Sequence, residues 1–217
     1  MDYCSKVISH YVESFENLFS RDFKDYTTYL NMMANTKLVG INGDDVRGVL
    51  RPFLYGWGRM GRVLGGKEYR GWETKLAKQI RTNCSLLESF KASNIDNTSL
   101  GKYQLDIEKS YESFRQVIGN IASAKALHLI CPNFFPAWDN RIADGVRDEF
   151  LTKGGYKTKP FTGADYYAFM YVIQNLMKTH DVTLVSLSKK YNKSKMKILD
   201  EFLWWAANRP LSVLKVS

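Results

Sequence analysis

Residues 121–131, with the sequence IASAKALHLIC, form a nearly all-apolar run that carries one lysine, Lys125. Wound into a helix at 100° per residue, the apolar side chains of this run point in almost every direction. A helix that is apolar all round is usually buried at the centre of a protein. The run therefore predicts a buried central helix against which the other elements pack.

Most of the remaining chain repeats apolar residues at spacings of three and four, the period of an amphipathic helix. We expect a new helix to begin at Ser20, and Asp44 or Asp45 to cap the helix that follows. Residues 181–188 alternate like a strand, but one strand makes no sheet, so we expect a helix start or a loop there. The sequence predicts an all-α protein, with its clearest helical periods over residues 5–20, 72–90, 105–118, 164–180 and 193–209.

Length and local polarity indicate how the chain is divided. Its 217 residues suit one domain or two small lobes that share a core. The most polar linker is KASNIDNTSLGK, residues 91–102, which is the best candidate boundary. We therefore expect a single all-α domain over residues 1–217, with lobes at residues 1–95 and 100–217.

Net charge and cysteine content restrict the partners and the compartment. The formal charge is +9, and a basic excess of this size attracts polyanions from a distance. The three cysteines, Cys4, Cys84 and Cys131, form no C-x-x-C pair, so zinc-ribbon and iron–sulfur spacing is absent. The chain has neither an apolar run of about 20 residues nor a signal-peptide core at its start. We expect a soluble cytoplasmic protein that binds DNA or, alternatively, RNA, with no metal, cofactor or membrane.

Lys125 is the exception in the apolar helix. It shares a face with Ile121 and His128, while Ser123 points to nearly the opposite side. An ammonium taken from water is costly unless it is paired, and a lysine that loses its proton can act as a nucleophile. The alternatives are a side chain that reaches solvent along its methylene stem, or a structural ion pair.

A glycine turn, Gly119-Asn120, separates the apolar helix from the helix before it. Two helices joined in this way have the shape of a helix-hairpin-helix, in which backbone N–H groups at the start of the second helix can hold a phosphate. Gly119, Asn120 and Ile121 are therefore candidate nucleic-acid contacts. We expect this hairpin to lie at the centre of the two-lobed domain.

Residues 117–146, VIGNIASAKALHLICPNFFPAWDNRIADGV, resemble the core of the helix-hairpin-helix DNA glycosylases, in particular divergent members with an 8-oxoguanine-glycosylase-like fold. In that family, a hairpin of the form L-x-G-[VI]-G leads into a buried helix. A short connection then carries an aspartate in a V-D-[ST]-[HNR]-[VI] signature. Residues 118–121 correspond to the hairpin, with Ile121 in place of its second glycine, and residues 138–142 correspond to the aspartate segment.

The resemblance implies removal of a damaged or unusual base, with Asp139 as the essential carboxylate. Strand-cleaving members of the family place their lysine at the position of Ser123, whereas Lys125 lies two residues later. Ser123 at that position implies base removal without strand cleavage. A neutral Lys125 within reach of the sugar would instead attack its carbon and form a Schiff base. The candidate catalytic residues are Asp139, Lys125 and Ser123.

Base removal also requires an aromatic pocket and contacts to the strand. Breaking an N-glycosidic bond creates positive charge on the sugar, which a nearby carboxylate stabilises. The base has to leave the stack and enter a pocket with aromatic walls. We expect Trp138, beside Asp139, to contact the base, and Arg141 to contact nucleic acid from the same segment. The other large aromatic residues are expected to pack in the core, among them Phe134, Phe135, Trp204 and Trp205.

Residues 51–72, RPFLYGWGRMGRVLGGKEYRGW, interleave basic residues with aromatic residues and glycines; we call them the basic segment. Guanidinium groups suit phosphates, glycines allow a backbone to approach a ligand closely, and aromatic rings stack on unpaired bases. The alternative is a structural loop with a solvated basic face. The candidate nucleic-acid contacts in this segment are Arg51, Trp57, Arg59 and Arg62.

Three functions are compatible with these features. The first is a glycosylase-like enzyme, and the second is a helical module that binds DNA or RNA without chemistry. The third is a protein-interaction scaffold whose positive charge serves only solubility. Because fold analogy alone does not establish function, the motif around Asp139 and the charge of the basic segment carry the first hypothesis. Residues 188–197, SKKYNKSKMK, are expected to be ordinary charged surface.

Overall fold

The computed structural model describes residues 3–139, 142 and 162–208. Over this part of the chain the regular structure is helical and no residue lies in a strand, so the predicted all-α fold is confirmed. No helix within these ranges has the length and hydropathy needed to cross a bilayer. The α-helices, in chain order, are α1 (Tyr3–Ala34), α2 (Gly43–Gly48), α3 (Leu50–Tyr55), α4 (Gly61–Leu64), α5 (Trp72–Thr82), α6 (Cys84–Lys91), α7 (Gln104–Ile118), α8 (Asn120–Ile130), α9 (Gly163–Thr179), α10 (Asp181–Tyr191) and α11 (Lys195–Asn208).

Helix α1 is longer than the sequence predicted. It runs without interruption from Tyr3 to Ala34, so the prediction of a new helix at Ser20 is wrong. No glycine or proline occurs within these residues, and the backbone therefore contains nothing that would end the first helix. Residues 181–188 are helical as well, and lie in α10.

Helix α2 is capped by Asn42 rather than by Asp44 or Asp45. The side-chain oxygen of Asn42 accepts hydrogen bonds from the backbone N–H groups of Asp44 and Asp45, at 2.7 and 3.1 Å. The Asp45 carboxylate in turn accepts a hydrogen bond from the Asn42 N–H at 2.9 Å, which completes a capping box. The two aspartates lie in the first turn, where negative charge complements the helix dipole.

The described residues form two compact units. The α8 unit comprises those within Arg21–Ala137 and Pro160–Tyr167, and the α11 unit those within Met1–Ser20, Trp138–Lys159 and Ala168–Ser217. The polar segment 91–102, which was expected to separate lobes 1–95 and 100–217, lies inside the α8 unit. Its apolar residues hold it there, because Ile95 and Leu100 are buried and the Ile95 N–H donates to the Asn133 carbonyl oxygen at 3.0 Å.

Helix α8 forms the buried centre of its unit, as the sequence predicted. It packs against α3 and α7, and α7 packs in turn against α5. Phe134 and Phe135, which follow α8, are fully buried, so their expected place in the core is confirmed. The buried residues of α8 are Ala122, Ser123, Ala124, Ala126, Leu127, His128, Leu129 and Ile130.

The core of the α11 unit is built around the aromatic residues of α11. Phe202 meets Tyr11 of α1 edge-on, with ring centroids 5.9 Å apart, and Trp204 meets Phe15 in the same way at 5.8 Å. Trp205 is buried and Trp204 is half-buried, so both tryptophans pack in the interior as expected. Helix α10 covers another side of α11.

Candidate nucleic-acid interface

Gly119 forms the connection between α7 and α8. Its φ of 75° lies in the left-handed region that favours glycine, and a Cβ there would lie 3.1 Å from the Tyr69 hydroxyl oxygen. The Gly119 N–H donates to the Arg115 carbonyl oxygen at 2.9 Å, so this group is occupied within the protein. The expectation that the Gly119 N–H holds a phosphate is therefore wrong. Asn120 and Ile121, both half-buried in the first turn of α8, stay candidate contacts.

Ser123 stabilises the same connection between α7 and α8. Its hydroxyl donates a hydrogen bond to the Gly119 carbonyl oxygen at 2.7 Å, and the side chain is fully buried. A serine hydroxyl that bonds back to the carbonyl four residues earlier acts within the helix backbone. Because Ser123 offers no surface to a ligand, its assignment as a catalytic residue is corrected to a structural one.

Lys125 reaches across the α8 unit to the basic segment. The side chain is half-buried, and its ammonium donates a hydrogen bond to the carbonyl oxygen of Gly58 at 2.9 Å. The sequence predicted solvent, an ion pair or a nucleophilic role for this group, and did not predict a backbone acceptor 67 residues away. Helix α8 thus joins the centre of the unit to the glycine loop, which we define as residues 56–60.

The glycine loop follows α3 and has a tightly bonded backbone. The Gly58 N–H donates to the Phe53 carbonyl oxygen and the Met60 N–H to that of Leu54, each at 2.7 Å. Gly58 has no room for a side chain, because a Cβ would lie 2.7 Å from the Leu54 carbonyl oxygen. Between these bonds, Arg59 adopts a φ of 53°, which is rare for a residue with a Cβ.

The basic residues of the basic segment fall into two groups. Arg51 forms an ion pair with Glu73 at 3.1 Å and lies over the Tyr55 ring, 5.0 Å from its centroid, so its charge is already compensated. The other basic side chains are exposed, and none of them has an ion-pair partner among the residues that the structure describes. These uncompensated residues are Arg59, Arg62, Lys67 and Arg70.

Trp57 packs into the α8 unit. Its ring stacks on Phe53 with centroids 4.9 Å apart and planes 14° from parallel. The rings of Tyr26 and His128 lie 5.2 and 6.4 Å away. Because the indole is half-buried in this aromatic group, it holds the glycine loop against α3 and α8. Its predicted role as a stacking surface for bases is replaced by this packing role.

Asp139 and Trp138 belong to the α11 unit. The Asp139 carboxylate accepts a hydrogen bond from the Ile142 N–H at 2.9 Å, and the side chain is half-exposed. Trp138 is only 1% exposed and packs edge-on against Phe169, at 4.2 Å between centroids. Its predicted contact with a base is therefore wrong in this conformation, because core packing covers the indole. Arg141 lies outside the described residues.

Residues 188–197 differ most from what the sequence predicted. Lys193 and Lys197 are buried instead of exposed, because distant and neighbouring carboxylates pair with them. Lys193 bonds to Glu16 and, at 2.7 Å, to Glu201, while Lys197 bonds to Asp200 at 2.8 Å. This cluster was missed, although Lys197 and Glu201 show the i, i+4 spacing of a helical ion pair.

Burial governs the charge state of this cluster. Desolvation raises the pKa of Glu201 to about 7, although Lys197 and Lys193 act in the opposite direction. Burial lowers the pKa of Lys197, but the attraction of Asp200 and Glu201 outweighs it and raises that pKa overall. Two of the other lysines of residues 188–197 are also paired with carboxylates, so this stretch has little free positive charge. The pairs outside the buried cluster are Lys190–Glu13 and Lys195–Asp181.

The comparisons with known proteins do not indicate a function for this chain. No protein-family model, curated protein or solved structure matches this chain. Within residues 3–139, 142 and 162–208, no three His, Cys, Asp or Glu side chains are grouped as ligands for a metal ion. The features that remain for function are the uncompensated basic residues, the glycine loop with Lys125, and the half-exposed carboxylate of Asp139.

Proposed function

We propose that this protein binds DNA through the basic segment and removes a damaged or unusual base, with Asp139 as the essential carboxylate. The observation that carries the proposal is the charge of the basic segment. Arg59, Arg62, Lys67 and Arg70 are exposed on a short, glycine-rich stretch, and none of them has an ion-pair partner in the described part of the chain. Side chains of this kind bind phosphate oxygens and release counterions.

Asp139 is suited to the chemical step by its fixed orientation. The hydrogen bond from the Ile142 N–H holds the carboxylate in place, and a carboxylate that is already oriented stabilises developing positive charge without reorganisation. Base release needs such a group near the sugar, because the bond to the base breaks with oxocarbenium-like charge. The Lys125 ammonium is bonded to Gly58, so we assign hydrolysis of the N-glycosidic bond, in which water adds to the sugar carbon and the base leaves, and not strand cleavage through an amine.

Binding of DNA or RNA without chemistry is the second candidate. The burial of Trp138 favours it, because the aromatic wall expected beside Asp139 is packed in the core of the α11 unit. Both candidates make the same use of the basic segment. They differ only in whether the Asp139 carboxylate acts on a bound nucleotide.

The test compares wild type with Asp139→Asn on a panel of duplexes that each carry one damaged or unusual base. The side-chain oxygen of asparagine accepts the same hydrogen bond from the Ile142 N–H, so the variant keeps this bond and loses only the negative charge. The enzyme proposal expects wild type to release a base from at least one duplex, and Asp139→Asn to bind that duplex without releasing it. Equal binding by both proteins with no release from any duplex would leave the non-catalytic module as the function.

A further inference from the structure

The bond between Lys125 and Gly58 ties the central helix to the glycine loop. An ammonium that is half-removed from water needs an acceptor to offset its lost hydration, and the Gly58 carbonyl oxygen at 2.9 Å supplies one. Gly58 is itself buried, whereas the residue that follows it is exposed. The bond therefore fixes the backbone immediately before Arg59.

Arg59 has a backbone conformation that is unfavourable for a residue with a side chain. Its φ of 53° lies in the left-handed region, where a Cβ is strained. Such conformations persist only where the surroundings hold them, and they concentrate at functional sites. Here the holding contacts are the backbone bonds from Gly58 and Met60 to α3, together with the ammonium of Lys125.

The glycine loop exposes the guanidinium of Arg59 and not the ring of Trp57. The Arg59 guanidinium is exposed and has no ion-pair partner among the described residues, while Trp57 is packed against Phe53. A guanidinium on a glycine loop matches a phosphate, whose oxygens accept its N–H groups in pairs. Phosphate oxygens are present at every nucleotide, so a contact of Arg59 with a phosphate is independent of base sequence.

We propose that Lys125 is a positioning residue, which holds the glycine loop in the conformation that presents Arg59 to a backbone phosphate. The inference rests on the proposed binding of DNA, and it names the part of the ligand that the loop contacts. Lys125 acts through Arg59 and does not itself touch the phosphate. The two side chains therefore form one functional unit, and removing either one removes the same contact.

The first experiment measures how well the backbone of the glycine loop is protected from hydrogen exchange when no ligand is bound. Hydrogen exchange of the Gly58 and Met60 amides is compared in wild type, Lys125→Met and Lys125→Arg, with urea unfolding as a check that each variant is folded. Lys125→Met removes the donor but keeps an apolar stem, so both amides are expected to exchange faster. Lys125→Arg keeps a donor and is expected to restore protection. Unchanged exchange in a folded Lys125→Met would overturn the anchoring role.

The second measurement is a double-mutant cycle of DNA binding, followed by anisotropy of a labelled duplex over a range of salt concentrations. Arg59→Ala is expected to make the slope of log K against log salt shallower by about 1, the value of one lost phosphate contact. Lys125→Met is expected to cause the same loss, and the double variant no more than either single one. Lys102→Met, which removes an exposed lysine of the same unit, is the matched control and should leave the slope unchanged.

The outcomes separate this inference from the function on which it rests. Additive losses in the double variant would mean that Lys125 contacts DNA directly, and would overturn the positioning role while binding stands. Wild type that fails to bind the duplex at low salt would overturn the proposed function and the phosphate contact together. In that case the exchange measurement would still decide whether Lys125 holds the loop.

Discussion

The hydroxyl of Tyr26 lies 2.7 Å from Nε2 of His128, across 102 residues of sequence. The other ring nitrogen, Nδ1, lies 2.8 Å from the Phe135 carbonyl oxygen, which can only accept, so Nδ1 carries a proton. In the neutral imidazole, Nε2 then accepts from the tyrosine. This arrangement explains how the largely apolar helix α8 tolerates a fully buried histidine.

Tyr26→Phe is expected to lower the free energy of unfolding by roughly 1–3 kcal/mol, because the buried Nε2 of His128 loses this donor without gaining access to water. Urea denaturation followed by circular dichroism measures the change. Tyr29→Phe is the matched control on the same helix, since Tyr29 is only half-buried. Equal effects of the two substitutions would show that the Tyr26 hydroxyl contributes nothing through His128.

Gly119→Ala is expected to destabilise the protein by roughly 1–2 kcal/mol, because a Cβ is strained at a φ of 75°. The new methyl group would also lie 3.1 Å from the Tyr69 hydroxyl oxygen. Thermal or urea unfolding measures the loss. Gly101→Ala is the control, because a Cβ there meets nothing within 4 Å. A stable Gly119→Ala would contradict the connection described between α7 and α8.

The buried charge cluster predicts a pH dependence of stability. Desolvation raises the pKa of Glu201 from 4.5 to about 7, so the folded protein retains a proton that the unfolded chain has released. The stabilisation that this raised pKa provides is therefore completely present below pH 4.5, and it is lost as the pH rises through 7. The charged groups that act on this carboxyl are Lys193, Lys197 and Glu16.

Glu201→Gln tests that dependence, because the amide resembles the protonated acid and does not titrate. The difference in Tm, variant minus wild type, is expected to become more favourable to the variant between about pH 5 and about pH 8. The reason is that wild type loses the stabilisation of the protonated Glu201 over this range, whereas the amide of the variant does not titrate. Glu13→Gln removes a carboxylate from the exposed pair with Lys190 and should give a difference that changes little with pH. A pH-independent difference for Glu201→Gln would rule out the raised pKa.

The hydrogen bond between the Ile142 N–H and the Asp139 carboxylate predicts different effects for two substitutions. Asp139→Ala is expected to lower the free energy of unfolding by about 1 kcal/mol, because the Ile142 N–H loses its acceptor. Asp139→Asn keeps an acceptor oxygen and is expected to remain within a few tenths of a kcal/mol of wild type. Urea unfolding of both variants checks this. Equal stability of Asp139→Ala and wild type would show that this hydrogen bond does not contribute.

Hydrophobic periodicity was sufficient to predict the fold class and the buried helix α8, because both depend on spacing along the chain. It was not sufficient to predict what lies opposite a given side chain. The acceptor of Lys125 is a backbone carbonyl 67 residues away, and one partner of Lys193 is Glu16, 177 residues away. Pairings of this length are set by tertiary packing, which leaves no local pattern.

Sequence proximity also misled the assignment of the candidate site. Trp138 and Asp139 are adjacent, yet the indole is buried against Phe169 while the carboxylate is half-exposed, since neighbouring side chains point in different directions. Ser123 was assigned as a catalytic candidate from its position four residues after Gly119, but its hydroxyl donates a hydrogen bond to the Gly119 carbonyl oxygen. Arg59 and Arg62 are exposed, as charge and glycine content favour, and their contact with nucleic acid stays a prediction.

The salt dependence of DNA binding tests most directly whether the uncompensated charge of the basic segment binds phosphates. Arg62→Ala and Arg51→Ala remove the same side chain from the same segment, but Arg51 is already paired with Glu73. We predict that Arg62→Ala weakens binding and makes the slope of log K against log salt shallower by about 1, while Arg51→Ala leaves the slope unchanged. Equal slopes for wild type and Arg62→Ala, or the same change in both variants, would contradict it.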